Sequence, residues 1–99
     1  MDITQSVGGV PIRLTAERWL HIVENHDEVA GYYDEVLETV ASPEVVIPGY
    51  GGSLIAARSS GKSRFLCVVY REVSRRDGFI ITAYFGRKID RRKALWRRF

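Results

Sequence analysis

Three strand-like stretches in the second half of the chain are separated by short, turn-rich segments. The stretches span about Ser53 to Arg58, Arg64 to Glu72 and Phe79 to Phe85. The connecting segments read SSGKS and VSRRDG, and Gly, Ser and Asp favour tight turns. Because turns this short join antiparallel neighbours, the sequence predicts a β-meander.

Two helices are predicted ahead of this meander. The first runs from about Ala16 to Asn25, with Thr15 as N-cap, since its hydroxyl can accept a hydrogen bond from a free backbone amide. The second runs from Val29 to Val40, where apolar residues recur at spacings of three and four. The dipeptide Ser42-Pro43 ends it because proline cannot continue a helix.

The remaining segments are expected to be irregular or short. The stretch GVPIRL predicts a brief extended lead-in, with Pro11 keeping it off a central strand position, and SPEVVIPGYGG predicts a loop. The C-terminal RKIDRRKALWRRF predicts either a helix begun by Asp90 or a further edge strand. We therefore expect one α+β domain over residues 1–99, with two N-terminal helices packed on an antiparallel β-meander of three to four strands, followed by a basic C-terminal segment.

Composition narrows the functional classes. No apolar run approaches the roughly 18 residues of a membrane span, and MDITQSVGGV lacks the features of an export signal, so a cytoplasmic protein without a membrane partner is expected. The lone Cys67 lies in an apolar run, which excludes an intrachain disulfide or a cysteine-based metal site. GYGGS precedes a strand rather than a helix and is interpreted as a turn, so no cofactor or metal is predicted.

Charge is distributed unevenly along the chain. Residues 1–70 hold five Lys or Arg against nine Asp or Glu, whereas residues 71–99 hold ten against three. Aromatic residues are interleaved with the basic ones, a combination that suits the phosphate backbone of a nucleic acid. A solvated basic surface would have the same composition, so charge alone leaves both interpretations open.

Both histidines lie in HIVENH, within the first predicted helix. Five residues separate His21 from His26, which is about 140° of rotation on an ideal helix. His26 falls on the apolar side with Trp19, Ile22 and Val23, and His21 falls nearly opposite. The two rings therefore share one site only if the helix ends near Asn25 and His26 turns out of it.

Strand alternation predicts one core face and one polar face. Phe79, Ile81, Ala83 and Phe85 form an apolar face. With hairpins centred near positions 61 and 75, the other face gathers the polar set Arg58, Arg64, Tyr70, Thr82 and Tyr84. Cations, hydroxyls and aromatic rings suit a phosphodiester and a stacked base.

The sequence also resembles a known group of proteins. RLTAERWLHIVENHDEVAGYYDEVLETVASPE, followed by DGFIITAYFGRKIDRRKALW, is similar to phage- and toxin-associated nuclease domains of the barnase, EndoU, colicin and RelE-like superfamily. The similarity extends from about Ile12 to Trp96. It depends on the two histidines five residues apart, the AGYxDEVLETV pattern and the late TAYF.

The resemblance implies metal-independent RNA cleavage by attack of the 2′-hydroxyl on the adjacent phosphorus. It points to His21, His26, Thr82 and Tyr84. We expect His26 to act as acid or base, Arg58 and Thr82 to hold phosphate, and Tyr84 to stack a base. Substrate binding is assigned to the following residues: Arg64, Tyr70, Arg87 and Lys88.

Three functions follow as alternatives. The first is an endoribonuclease that acts as the toxin of a toxin–antitoxin pair, with an antitoxin protein as partner. The second is an RNA- or ribosome-binding module without turnover, which would use the basic segment and the aromatic strand face. The third is a toxin-like domain whose helices bind a protein.

Overall fold

A single mixed sheet of seven strands organises the chain. The computed structural model describes residues 1–99. The strands are β1 (Asp2–Gln5), β2 (Pro11–Leu14), β3 (Val45–Pro48), β4 (Leu54–Ser59), β5 (Phe65–Glu72), β6 (Gly78–Gly86) and β7 (Trp96–Arg97). Their order in the sheet is β1-β2-β6-β5-β4-β3-β7. All neighbours are antiparallel except β2 and β6, which are parallel, and the sheet curls into a half-barrel.

The predicted fold class is therefore wrong. The expected meander is present as β4, β5 and β6, but it forms only the centre of a seven-stranded sheet. Four further strands extend it on both sides, and one pairing is parallel. The correct architecture is a curled mixed sheet enclosing two helices, not a few antiparallel strands beneath them.

The four strands outside the predicted meander are short and lie beside turn-forming residues. β1, β2 and β3 have four residues each and β7 has two, too few for alternation to be recognised. Pro11 is the first residue of β2, and β2 pairs with β6 only through Arg13 and Phe79. Pro11 itself has no partner in β6, so the amide hydrogen that it lacks removes no hydrogen bond between these two strands, and a proline is tolerated inside the sheet.

The helices are α1 (Ala16–Asn25) and α2 (Tyr33–Ala41), joined by a 3-10 turn at Asp27–Val29. Thr15 caps α1 as predicted, because its Oγ1 accepts a hydrogen bond from the Arg18 amide at 3.1 Å. The second helix begins four residues later than predicted. Neither helix is long and apolar enough to cross a membrane.

The core lies between the helices and the inner face of the sheet. It contains fully buried side chains from both layers, including Ile22 of α1, Val36 and Val40 of α2, and Val68 of β5. The rings of Trp19 and Tyr33 meet edge to face at 5.1 Å, which holds the two helices together. These contacts fix the end of α1, and with it His26, against the sheet.

The C-terminal segment crosses the outer face of the sheet. Ile89 and Ala94 pack on the small outer cluster of Val45, Ala57 and Cys67, before β7 pairs with β3. Asp90 accepts a hydrogen bond from the Arg92 amide at 3.1 Å and caps a 3-10 turn at Arg91–Lys93. Both alternatives for this segment are thus partly realised, as a capped turn followed by an edge strand.

Candidate active site at the end of helix α1

A β-bulge divides the predicted polar face. Near the hairpin, Tyr70 pairs with Ile80, but beyond the bulge Val69 pairs with Thr82 and Cys67 with Tyr84. One extra residue reverses which side chains face inward. The expectation that the polar set shares one face is therefore wrong: Arg58 and Tyr70 face the helices, whereas Thr82 and Tyr84 face outward. The expected all-apolar face of β6 is broken for the same reason, since Ile80 and Ala83 are buried together.

Helix α1 ends at Asn25, and His26 turns away from the helical path. The backbone of His26 has φ −138° and ψ 72°, far from helical values. Its side chain is 37% exposed, and its ring centroid lies 6.0 Å from that of Tyr84. The structure thus brings His26 together with Tyr84 on the outer side of β6, and Thr82 lies two residues along the same face.

Glu28 is the nearest charged group recorded against His26. Its Oε2 lies 3.7 Å from His26 Nδ1. This distance is longer than a hydrogen bond, so Glu28 adds negative charge near the imidazole without fixing its orientation. Sequence analysis missed Glu28, and the signal that could have found it is its position three residues after Asn25, the last residue of α1.

His21 lies apart from this site. Its side chain is exposed beside Glu17, Arg18 and Glu24 on the outer surface of α1. The Asn25 side-chain amide donates a hydrogen bond to the His21 carbonyl at 2.8 Å. The two histidines do not meet, as the rotation between them indicated.

Arg64 packs on two aromatic rings on the helix-facing side of β6. Its guanidinium lies 3.9 Å from the centroid of the Phe85 ring and 5.8 Å from that of Tyr32. One of its nitrogens donates a hydrogen bond to the Tyr32 hydroxyl at 3.1 Å. A guanidinium fixed in this way is a preorganised positive charge. Tyr32 and Phe85 were not predicted as site residues.

A shallow depression beside Arg64 is lined mainly by basic and small side chains. Its volume is about 270 Å³, and it includes Lys62, Ser63 and Arg87. Arg87 and Lys88 are both exposed where β6 ends. We call His26, Thr82, Tyr84, Arg64, Lys62 and Arg87 the rim site.

Arg58 lies outside the rim site. Its guanidinium contacts the Glu38 carboxylate at 3.1 Å, and its neighbours on α2 and β4 form a separate depression. Two strand spacings, about 10 Å, separate β4 from β6, and Thr82 also faces the opposite side. Arg58 and Thr82 are therefore not placed to hold one phosphate.

Tyr70 is 0% exposed and belongs to the core rather than to an accessible surface. Burial raises the pKa of its hydroxyl to about 12. Burial also raises the pKa of Tyr84, and Cys67 adds to this effect. Both hydroxyls are thus protonated at neutral pH, and only that of Tyr84 lies in the rim site.

The rim site combines an acid/base group, a fixed guanidinium, hydroxyls and aromatic rings. No three His, Cys, Asp or Glu side chains lie together in a way that could hold a metal ion. Comparison of the chain with protein-family models, curated proteins and solved structures gave no match. The resemblance to the nuclease superfamily therefore stays a prediction.

Proposed function

We propose that this protein is an endoribonuclease that cleaves RNA at the rim site without a metal ion. The observation that supports this proposal best is the position of His26. The imidazole leaves the helix, is partly exposed and has its ring centroid 6.0 Å from that of Tyr84, while Arg64 packs on the neighbouring Phe85 from the helix-facing side of the sheet. Cleavage by an internal hydroxyl needs a base for its proton and positive charge for the phosphate, and His26 and the basic residues at the end of β6 supply these two elements.

The chemistry follows from these groups. Nε2 of His26 takes the proton of the 2′-hydroxyl, and the oxygen forms a bond to the adjacent phosphorus. The bond between phosphorus and the 5′-oxygen breaks, and that oxygen takes a proton from the imidazolium formed in the first transfer. The products are a 2′,3′-cyclic phosphate and a free 5′-hydroxyl.

The remaining rim residues bind and orient the substrate. Thr82 contacts the phosphate on the side of His26, and the Tyr84 ring stacks a neighbouring base. Arg64 lies on the helix-facing side beside Phe85, so it binds a flanking phosphate together with Lys62, Arg87 and Lys88. Burial raises the pKa of the Tyr84 hydroxyl further above its ordinary value, so this group stays neutral beside the RNA.

The test is incubation of the purified protein with total RNA in EDTA. His26→Ala is expected to lower cleavage by about 10²- to 10⁴-fold, the usual contribution of a positioned acid or base. His21→Ala is the matched comparison, because it removes the same type of side chain from α1, away from the rim site. Wild-type cleavage that His26→Ala leaves intact, equal losses from both variants, or products without cyclic phosphate ends would contradict the proposal.

A second candidate is RNA binding without turnover, which the C-terminal segment favours. Residues 87–98 contain seven Lys or Arg and one Asp, and they lie across the outer face independently of His26. This function predicts RNA retention that falls with salt, with no cleavage. Arg64→Ala should reduce the slope of log affinity against log salt by about 0.7–0.9 if Arg64 contacts a phosphate. Arg75→Ala, in the distant β5–β6 hairpin, is the control.

The toxin hypothesis extends the proposed nuclease activity to the cell. Such an enzyme would act on cytoplasmic RNA, and an acidic antitoxin would cover the basic segment. Induction should then arrest growth, and His26→Ala should relieve the arrest. Growth arrest that His26→Ala retains would favour the third alternative, a domain that acts by binding another protein.

A further inference from the structure

A second basic depression lies where β2 meets β6, beside the start of helix α1. Its volume is about 160 Å³, and its lining consists of Arg13, Thr15, Arg18, Phe79 and Ile80. Two of these side chains are arginines and one carries a partly exposed aromatic ring. We call it the Phe79 depression.

The Phe79 depression and the rim site share the outward side of β6. Phe79 pairs with Arg71 of β5, and Thr82 pairs with Val69, two residues earlier on the same strand. Residues two apart on a strand face the same side, so Phe79 faces outward with Thr82 although the bulge lies between them. Arg13 pairs directly with Phe79 and therefore faces outward as well.

Helix α1 runs beside β6 from one site to the other. Arg18, in the first turn of α1, lines the Phe79 depression, and the ring of His26, just beyond its last turn, lies 6.0 Å from that of Tyr84. Arg18 and His26 are about 12 Å apart at the rise of a helix, and Phe79 and Tyr84 are at most about 17 Å apart along the strand. The two sites therefore lie on one continuous border, within reach of a short nucleic-acid strand.

Arg18 supplies a positive charge that the protein does not neutralise. Its side chain is half-buried and takes part in no ion pair. Arg13, by contrast, is paired with Asp77 and donates a hydrogen bond to the Gly78 carbonyl oxygen at 3.3 Å. Two like charges in one depression repel each other, and an anion at Arg18 offsets that repulsion. With one arginine neutralised and one free, the depression suits a single phosphate group.

Phe79 adds a flat surface to this charge. The guanidinium carbon of Arg13 lies 5.5 Å from the centroid of the Phe79 ring. Aromatic rings and guanidinium planes are the surfaces on which proteins stack the unpaired bases of RNA. An isolated anion would gain nothing from the ring. The combination of a free guanidinium with an exposed ring therefore favours a nucleotide.

We propose that the Phe79 depression binds a second nucleotide of the RNA strand that is cleaved at the rim site. Arg18 contacts its phosphate, and the Phe79 ring, held beside Arg13, stacks its base. This inference rests on the proposed function, because it concerns the same RNA strand.

The distance between the two sites limits the substrate. A stacked strand advances about 3.4 Å per nucleotide and an extended strand advances more, so the second nucleotide lies at most about five positions from the scissile phosphate. A base that stacks on a protein ring is out of its own duplex. The substrate is therefore RNA that is unpaired at both sites, and very short RNA cannot fill both.

One experiment measures binding without cleavage. The probe is a labelled, mixed-sequence RNA of about ten nucleotides, long enough to span both sites, whose 2′-hydroxyls are all methylated so that the attacking group is absent. Binding to the protein is followed by fluorescence anisotropy. Phe79→Leu keeps an apolar side chain but removes the flat ring, and should weaken binding about fivefold or more.

Arg18→Gln tests the phosphate contact. It should reduce the slope of log affinity against log salt by about 0.7, the change expected for one phosphate on a single strand. Arg58→Gln is the matched control, because Arg58 is also half-buried but lies in a separate depression, paired with Glu38. The control should leave the slope unchanged.

A second experiment compares cleavage of two unmodified RNAs in EDTA. Phe79→Leu should lower kcat/KM about fivefold or more for the longer RNA but leave that for a mixed-sequence dinucleotide unchanged, because the dinucleotide is too short to reach Phe79. Equal losses on both RNAs, RNA binding that Phe79→Leu leaves intact, or equal effects of Arg18→Gln and Arg58→Gln would each overturn the proposal. Binding that responds as expected, without cleavage by the wild type, would contradict the nuclease and leave the Phe79 depression as an RNA-binding site.

Discussion

Replacing Tyr70 by Phe should stabilise the free protein. The ring of Tyr70 is fully buried in the main core, and its hydroxyl has no partner in the protein. Leaving a buried hydroxyl unpaired costs about 1–3 kcal/mol relative to water. Phenylalanine keeps the ring in place and removes that cost, so the free energy of unfolding should rise by about 1 kcal/mol or more. For a domain of this size, each kcal/mol shifts the melting temperature by about 4–8 °C.

Urea and thermal denaturation of the two proteins measure this difference. The slope of the free energy against urea should not change, because the same surface is exposed on unfolding. Loss of about 1 kcal/mol in Tyr70→Phe, the usual effect of removing a satisfied hydrogen bond, would refute the reasoning. It would show that the hydroxyl is paired in solution.

Three further predictions concern stability. Gly78→Ala should lower the free energy of unfolding by about 1–3 kcal/mol in urea denaturation, because a Cβ there would lie 2.5 Å from Ile12 Cδ1 and 2.6 Å from a backbone oxygen. Gly31→Ala is the control and should be nearly neutral, because a Cβ there would meet nothing within 4 Å. Similar losses of stability in the two variants would contradict this reasoning. Stability should fall as pH rises from about 9 to 12, because folding raises the pKa of Cys67 to about 11 and that of Tyr70 to about 12, so the unfolded chain releases those protons first. Cys67→Ala should flatten the plot of unfolding free energy against pH between about pH 9 and 11. A plot that Cys67→Ala leaves unchanged would argue against this cause. Thr15→Ala should cost about 1 kcal/mol by removing the cap of α1, and retained stability in thermal denaturation would show that the cap contributes little.

The central elements could be predicted from the sequence because their signals are long and local. Strands β5 and β6 have eight and nine residues, and the Thr15 cap of α1 depends on neighbouring residues alone. The pairing of the outer strands could not be predicted. β2 is held beside β6 by a pairing between Arg13 and Phe79, and β7 forms only where the chain returns to β3. Such pairings depend on tertiary packing, which no local pattern records.

The candidate site, too, could be predicted only where local sequence signals determine it. The helical rotation between the two histidines indicated that only one of them faces the sheet, and His26 does so after the helix ends. The strand faces were predicted from the correct hairpin centre near position 75, yet the bulge beside Val69 reversed the side chains beyond it. A bulge leaves no clear signal in this sequence, so Arg58 was placed on the same strand face as Thr82 and Tyr84.

The pairing of β7 with β3 has a consequence for how the chain folds during synthesis. On its outer edge β3 pairs with β7, Val45 with Arg97 and Val46 with Trp96. β7 is the last strand of the sheet in chain order, so until it is synthesised the apolar edge at Val45 and Val46 is open to pairing with other nascent chains. The seven-stranded sheet is therefore complete only after β7 has been made, and a chain that lacks β7 keeps an aggregation-prone edge.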